Sequence, residues 1–478
     1  MKRFTAFVAA LLLAASFFGC ENVTPGRESV PEDEGSRDAY REIESVLPPA
    51  IEDESGEFSD TQTITLATDE PCLFLSDEET PTAYRTHLSE RNAYLSKRYG
   101  IELAVRKESG ESAPTALLEA VNSGLPYAEI LAFGVNDTLK LWSQGLLYDM
   151  CLLPGFDPTS SAYDAKNACE LAANTAFYML PDASCYWFDE INVMFCNSKL
   201  LDSSLESPLS LAARGEWTWD AFTEHCKAAY AVSKGIFGFG TYADAEDYAG
   251  ALWTSSGKRI ITDTYKKPVR LSMEPSDISE TAAALKKHYD TYYRYPETKA
   301  SAVNQFENGG MIFFSNKLDY FYSLRDGSEK GLEYLLLPMP KLYSESEDCS
   351  CLVSNSARVY SVPSTAEKFD RQTAVRINAY LAVACASGAP AAKKAFVGTF
   401  IANYLTGNDE TLALRAIIDG AAFDFAQVYG SESWEIRYCT TKVISDYIGF
   451  GSEVANSIRH ARDNFERYVE AKFNAGDE

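Results

Sequence analysis

Between Thr63 and Leu146 the hydrophobic pattern switches repeatedly between a period of two and a helical period, and this alternation limits the fold more than any other feature. Thr63-Ile64-Thr65-Leu66-Ala67-Thr68 alternates and predicts a strand. Tyr84, Leu88, Leu95 and Tyr99 follow at helical spacing, with Gly100 as a stop. Ile101, Leu103 and Val105 alternate again. Pro114 opens a second helix through Leu117, Leu118 and Val121, ended by Gly124. Glu129 to Phe133 is a third strand, and Asn136 or Asp137 is placed to cap a helix carrying Leu139, Trp142 and Leu146. A strand-helix order repeated in this way predicts an open, largely parallel sheet covered by helices. In such sheets ligands sit beyond the carboxyl ends of the strands. Those ends fall at Asp69 and Glu70 and at Asn136 and Asp137, which become candidate binding residues.

The chain is long enough, at 478 residues of which 46% are hydrophobic, to form about two domains with a large core. A second patterned region begins near Ile191. Asn192 to Phe195 reads as a strand, and Thr218 as the cap of a helix containing Phe222, Cys226, Ala229 and Tyr230. Gly235 to Gly240 reads as a loop with aromatic inserts. Tyr334 to Leu337 is a strand stopped by Pro338-Met339-Pro340, and beyond Val375 the pattern is mainly helical. A formal net charge of −26 argues against nucleic acid and against anionic lipid surfaces. His87, His225, His288 and His460 are scattered, and no cysteine or histidine pair has metal-site spacing, so neither metal nor cofactor is expected. Most of the cysteines read as buried thiols, with Cys196, Cys226 and Cys385 in apolar contexts. Cys349 and Cys351 are too close for a normal mutual disulfide.

The amino terminus sets the compartment. Met1-Lys2-Arg3 precedes an apolar run that ends Phe17-Phe18-Gly19-Cys20, the build of a secretory signal. A Cys directly after a small residue resembles a bacterial lipoprotein signal, which implies removal of 1–19 and lipid, such as palmitate, on the Cys20 thiol. Residues 20–60 are rich in Glu, Asp, Ser, Pro and Gly. Such a stretch buries too little apolar surface to offset its ordering entropy, and it reads as a disordered tether at the extracellular face of the membrane.

Several segments carry a family resemblance. Asp189-Glu190-Ile191-Asn192-Val193-Met194-Phe195-Cys196-Asn197-Ser198-Lys199-Leu200-Leu201 is one, and Gly215-Glu216-Trp217-Thr218-Trp219-Asp220-Ala221-Phe222 another. Phe306 to Phe314, Leu336-Leu337-Pro338-Met339-Pro340-Lys341, and Asn408 to Asp419 with Phe423-Asp424-Phe425 complete the order. Together they resemble the extracellular solute-binding proteins of carbohydrate ABC importers, in particular Gram-positive lipoproteins. Cys196 stands where that family usually has Tyr, and Asn308-Gly309-Gly310 replaces its Gly-Lys.

The resemblance implies an α/β fold of the two-lobed type II periplasmic-binding-protein kind, a hinge between lobes, and closure on a ligand. The expected lobes are 61–187 with 345–408 and 188–344 with 409–478, crossing near Trp187 to Asp189, after Met339, and between Tyr404 and Thr411. The expected partners are a carbohydrate, most simply an oligosaccharide, and an ABC permease. The protein is expected to be a monomer and not an enzyme. Alternatives are a secreted glycoside hydrolase with paired carboxylates or a surface binding protein without transport.

A sugar offers hydroxyls and an apolar ring face, so its site needs carboxylates or amides together with aromatic rings. Trp187 and Asp189 at the inferred hinge, Trp253 before Ser255-Ser256-Gly257, and Trp434 between acidic neighbours join the strand-end residues as candidates. Core packing is the competing role for these tryptophans. Trp217 and Trp219 are read as structural, at a helix entry. Replacing Cys20 with Ala is expected to abolish lipid labelling and release the protein from the membrane fraction. Unchanged retention and labelling would exclude the anchor.

Overall fold

The computed structural model describes Phe58 and residues 60–75, 82–158, 169–172, 175–179, 186–243, 245–259, 272–290, 293–297, 299–326, 333–344, 349–385, 397–398, 400–401, 405, 407–430, 441–450, 466–468 and 471. Cys20, the tether and Trp434 lie outside these residues.

The alternating pattern folds as expected. Strand β1 (Gln62–Thr68), helix α1 (Thr82–Tyr99), β2 (Ile101–Lys107), α2 (Ala113–Ser123), β3 (Ile130–Gly134) and α3 (Val135–Ser143) follow in order. β1 pairs in parallel with both β2 and β3. Gly100 and Gly124 take positive φ, 62° and 71°, which suits a residue without Cβ at a helix end. α3 corrects one expectation. It starts at Val135 with Gly134 as its cap, so Asn136 and Asp137 lie in its first turn and do not cap it.

The sheet then turns antiparallel. β4 (Cys169–Ala172) and β5 (Thr175–Met179) pair with each other, and β11 (Arg358–Ser361) joins β3 to β5. The order is β2-β1-β3-β11-β5-β4. Helix α10 (Arg371–Cys385) covers β1 and α1 with an almost fully buried face.

A second, four-stranded sheet has the order β7-β8-β6-β9. Its strands are β6 (Asn192–Asn197), β7 (Phe237–Thr241), β8 (Met311–Lys317) and β9 (Tyr334–Leu337). β7 corrects the loop expected over 235–240. Glycine is a poor strand former, but here the packing demands it. A Cβ at Gly238 would stand 2.7 Å from the Cβ atoms of Cys226 and Tyr293, and one at Gly240 would stand 2.6 Å from Met311 Cε. Helices α4 (Pro208–Ala213), α5 (Trp219–Ala229), α6 (Ala245–Ser255), α7 (Pro275–Tyr289), α8 (Ala300–Glu307) and α9 (Tyr320–Asp326) surround this sheet. Thr218 caps α5 by accepting from the Ala221 N–H. Trp217 and Trp219 are buried and pack on Phe222, as structural residues. Cys196, Cys226 and Cys385 are fully buried, as expected.

Three short segments run side by side between the sheets. β10 (Cys351–Leu352) pairs with β12 (Ala421–Ala422), and Ile191 bridges Val353. The Ser354 N–H donates to the Glu190 carbonyl at 2.9 Å, and the Val353 N–H to Ala422 at 3.0 Å. Helix α11 (Asn408–Asp419) leads into this ribbon and packs on α4 and β9. Helices α12 (Phe425–Gly430) and α13 (Thr441–Phe450) follow it.

Arg376 fastens the first residues of the described chain. It is 1% exposed, donates to the Tyr99 carbonyl at 3.1 Å and Gln62 Oε1 at 2.6 Å, and meets Asp60 Oδ1 at 2.9 Å. Its guanidinium lies 4.6 Å from the Phe58 ring. Arg376→Ala leaves buried acceptors without a donor, at about 1–3 kcal/mol for each such group. A fall in melting temperature of several degrees is expected, and an unchanged denaturation midpoint would show that this clamp does not contribute.

Candidate functional site

The carboxyl ends of β1 and β3 and the start of β11 share one edge of the first sheet, because β11 runs antiparallel to β3 and sets Arg358 opposite Gly134. Arg358 holds the Asp69 carboxylate with two hydrogen bonds, 3.1 Å from Nε and 3.0 Å from Nη2, and pairs with Glu70 at 2.8 Å. Partial burial disfavours the Arg358 charge, but Asp69 and Glu70 outweigh it and hold the guanidinium above its ordinary pKa. Both carboxylates remain substantially exposed. Asn136 is exposed on the same edge, and its N–H donates to the Asn355 carbonyl at 3.2 Å. Asp137 pairs with Lys140 at 2.7 Å.

The second sheet contributes from the facing side. Glu190 ends the segment before β6, and Lys317 ends β8, opposite the start of β6. Glu190 Oε2 accepts from Lys317 Nζ at 2.7 Å and from Ser356 Oγ at 2.6 Å. Ser356 belongs to the turn that leads into Arg358. Asp69, Glu70, Arg358, Ser356, Glu190 and Lys317 therefore form a polar chain from one sheet edge to the other.

Asp189 sits beside that chain, half-buried, and accepts a hydrogen bond from Tyr322 Oη at 3.0 Å. Burial raises its pKa to about 7, against the Tyr322 hydrogen bond and the Lys317 charge, with Asp319 and Glu190 adding to the rise.

The predicted aromatic candidates lie deeper. Trp187 is 5% exposed with its ring 4.2 Å from Phe188, and Trp253 on α6 is 3% exposed. Neither presents an open ring face in this arrangement. Asp69, Glu70, Asn136, Asp137 and Asp189 do gather near the ribbon. Sequence reasoning missed Arg358, Glu190 as a contact residue, Lys317, Ser356 and Tyr322. Arg358 stands 289 residues from its partner Asp69, and no local signal joins them.

The raised pKa of Asp189 fixes the sign of a pH effect. Between about pH 4 and 7 the folded carboxyl keeps a proton that the unfolded one has lost, so stability falls as pH rises through that window. Asp189→Asn is expected to remove this slope, and so to melt higher than the parent at pH 8 but not at pH 4. Parallel melting-temperature curves for the two proteins would refute the assignment.

No curated protein sequence matches the chain. The fold is similar to the extracellular solute-binding protein of Staphylococcus aureus solved with maltose, at a TM-score of 0.53 and 13% identity over 86% of this chain and 99% of that one. It is similar to MalE of Listeria monocytogenes, also solved with maltose, at 0.51 and 13% over 87% and 99%. The sugar-binding MalE of Xanthomonas citri gives 0.52 and 11% over 87% and 100%. At these identities the likeness is one of fold, and it identifies the α/β architecture as the two-lobed one expected. In sequence, the family model for bacterial extracellular solute-binding proteins matches residues 92–423, which include β3, the ribbon and Arg358, and the chain belongs to that family.

Proposed function

We propose that the protein is the carbohydrate receptor of an ABC importer, capturing a saccharide between its lobes and presenting it to a permease. The observation that supports this reading best is the polar chain from Asp69 and Glu70 through Arg358, Ser356 and Glu190 to Lys317. It sets carboxylates, a guanidinium, an ammonium and a hydroxyl at the carboxyl-end edges of both sheets, where α/β folds bind ligands. Such groups match saccharide hydroxyls, which both donate and accept. Asp189, Asn136 and Asp137 extend the polar lining, with Trp187, Trp253 and Trp434 proposed as its aromatic part. Relatives of the same fold hold maltose.

The lobes are proposed to divide near 187 and 345. The third division lies before Phe400, since that ring is 5.0 Å from Phe321 of α9 beside the second sheet. Lipid on Cys20 is proposed to anchor a monomer at the extracellular face of the membrane. Among the described residues no helix is long and apolar enough to cross a membrane.

Thermal melting of the purified protein against mono- and oligosaccharides, maltose included, tests the reading. A bound sugar is expected to raise the melting temperature, to reduce the radius of gyration in solution scattering, and to remain intact. Release of reducing ends would point instead to a hydrolase. A panel without any stabilising saccharide, but with a stabilising peptide or other solute, would move the ligand class.

A further inference from the structure

Three buried polar atoms near the ribbon have no hydrogen-bond partner among the described residues: Trp253 Nε1, Asn355 Oδ1 and Gln427 Oε1. They come from three elements that meet. α6, which carries Trp253, packs on β10, just ahead of Asn355 in the chain. Asn355 Nδ2 donates to the Gln427 carbonyl at 3.3 Å, which fixes the direction of the Asn355 amide. Gln427 in turn lies against α6 at Gly250. A Cβ placed on Gly250 would stand 2.5 Å from Gln427 Oε1 and 3.0 Å from its Nε2. Gly250 and Trp253 are three residues apart on one helix and so share a face.

Folded proteins pair nearly all buried polar groups, and each unpaired one costs about 1–3 kcal/mol. Apolar side chains of the same shape would avoid that cost. A joint that keeps one unpaired N–H and two unpaired oxygens has the character of a functional site. We propose, on the basis of the carbohydrate-receptor reading, that Trp253, Asn355 and Gln427 form a hydroxyl-reading subsite at the joint between the lobes. In the same proposal Gly250 is glycine to leave room for the Gln427 amide. A saccharide hydroxyl supplies both a donor and an acceptor, and so suits one N–H and two acceptor oxygens. A carboxylate or phosphate, which mainly accepts, faces two acceptor oxygens there and is disfavoured. The subsite thus selects neutral polyols over acidic sugars. Its atoms are sealed in the present arrangement, so the ligand reaches them as the lobes part.

Gln427→Met and Gly250→Ala in the full chain test this. Met removes an unpaired amide, and Ala is the better helix former but pushes the Gln427 amide aside. Both variants are expected to melt at or above the parent's temperature. In calorimetry with maltose, or with whichever neutral saccharide of the panel binds the parent, both are expected to bind at least tenfold more weakly. Unchanged affinity in either variant overturns the subsite. A clear drop in the melting temperature of Gln427→Met also overturns it, because the amide is then satisfied, for instance by enclosed water, and structural. If the parent binds no saccharide, the carbohydrate reading fails on its own. The ligand-free melts then decide the subsite: undiminished stability of both variants supports it, and loss in Gln427→Met removes it.

Discussion

Glu190 joins the two halves of the molecule. Its carboxylate takes the Lys317 ammonium from the second sheet and the Ser356 hydroxyl from the turn that enters the first, while its backbone carbonyl takes the Ser354 N–H. One residue thus couples the end of β8, the start of β6 and the approach to β11. The position of Arg358 follows from that turn, and the placing of Asp69 and Glu70 follows from Arg358. The bonds within the ribbon are backbone bonds between neighbouring segments. Such bonds tolerate a twist about the ribbon better than a packed core tolerates displacement. A joint of this build lets two rigid sheets move as bodies.

Topology explains how distant residues come to share an edge. The parallel run β2-β1-β3 places Asp69, Glu70 and Asn136 together by local pattern alone. The antiparallel return of β11 then brings in Arg358 from far along the chain. It also makes the sheet mixed, with β4 and β5 beyond β11. The net effect is a site rich in carboxylates that are already matched by cations. Asp69 and Glu70 share Arg358, Glu190 has Lys317, and Asp137 has Lys140. In a chain of formal charge −26 this pairing matters, because unmatched carboxylates at one edge would repel each other. Asp189, half-buried among Glu190 and Asp319, relieves the crowding differently, by holding its proton up to about pH 7.

The strand-helix alternation over 62–143 was legible because each element there carries its own period and its own stop signal. β7 was not, since two glycines hide a strand whose need for them is tertiary, set by Cys226, Tyr293 and Met311. Asn136 and Asp137 look like caps on residue type alone, yet Gly134 begins the helix because β3 runs straight into α3 without a loop. Trp187 and Trp253 show the limit of reading aromatics from their neighbours. A tryptophan among polar residues in sequence is buried here by residues from other elements. The ion pairs at the site were illegible for a plainer reason: nothing local ties Lys317 to Glu190 or Arg358 to Asp69.

The energies of the joint bear on how such a receptor responds to ligand. Partly exposed ion pairs of the Glu190–Lys317 and Arg358–Asp69 kind are each worth on the order of 0–1 kcal/mol. These pairs alone therefore hold neither arrangement of the lobes strongly. A ligand shifts such a balance only by its preference for one arrangement over the other. Moving a population from mostly open to mostly closed takes about 5 kcal/mol of that preference. A few hydroxyls bridging the two edges supply energy of that order, at ~0.5–1.5 kcal/mol for a neutral hydrogen bond and about 1.5–3 for one to a charged group. A weak protein joint flanked by charged groups on both sides is thus the arrangement in which a small polar solute decides the conformation.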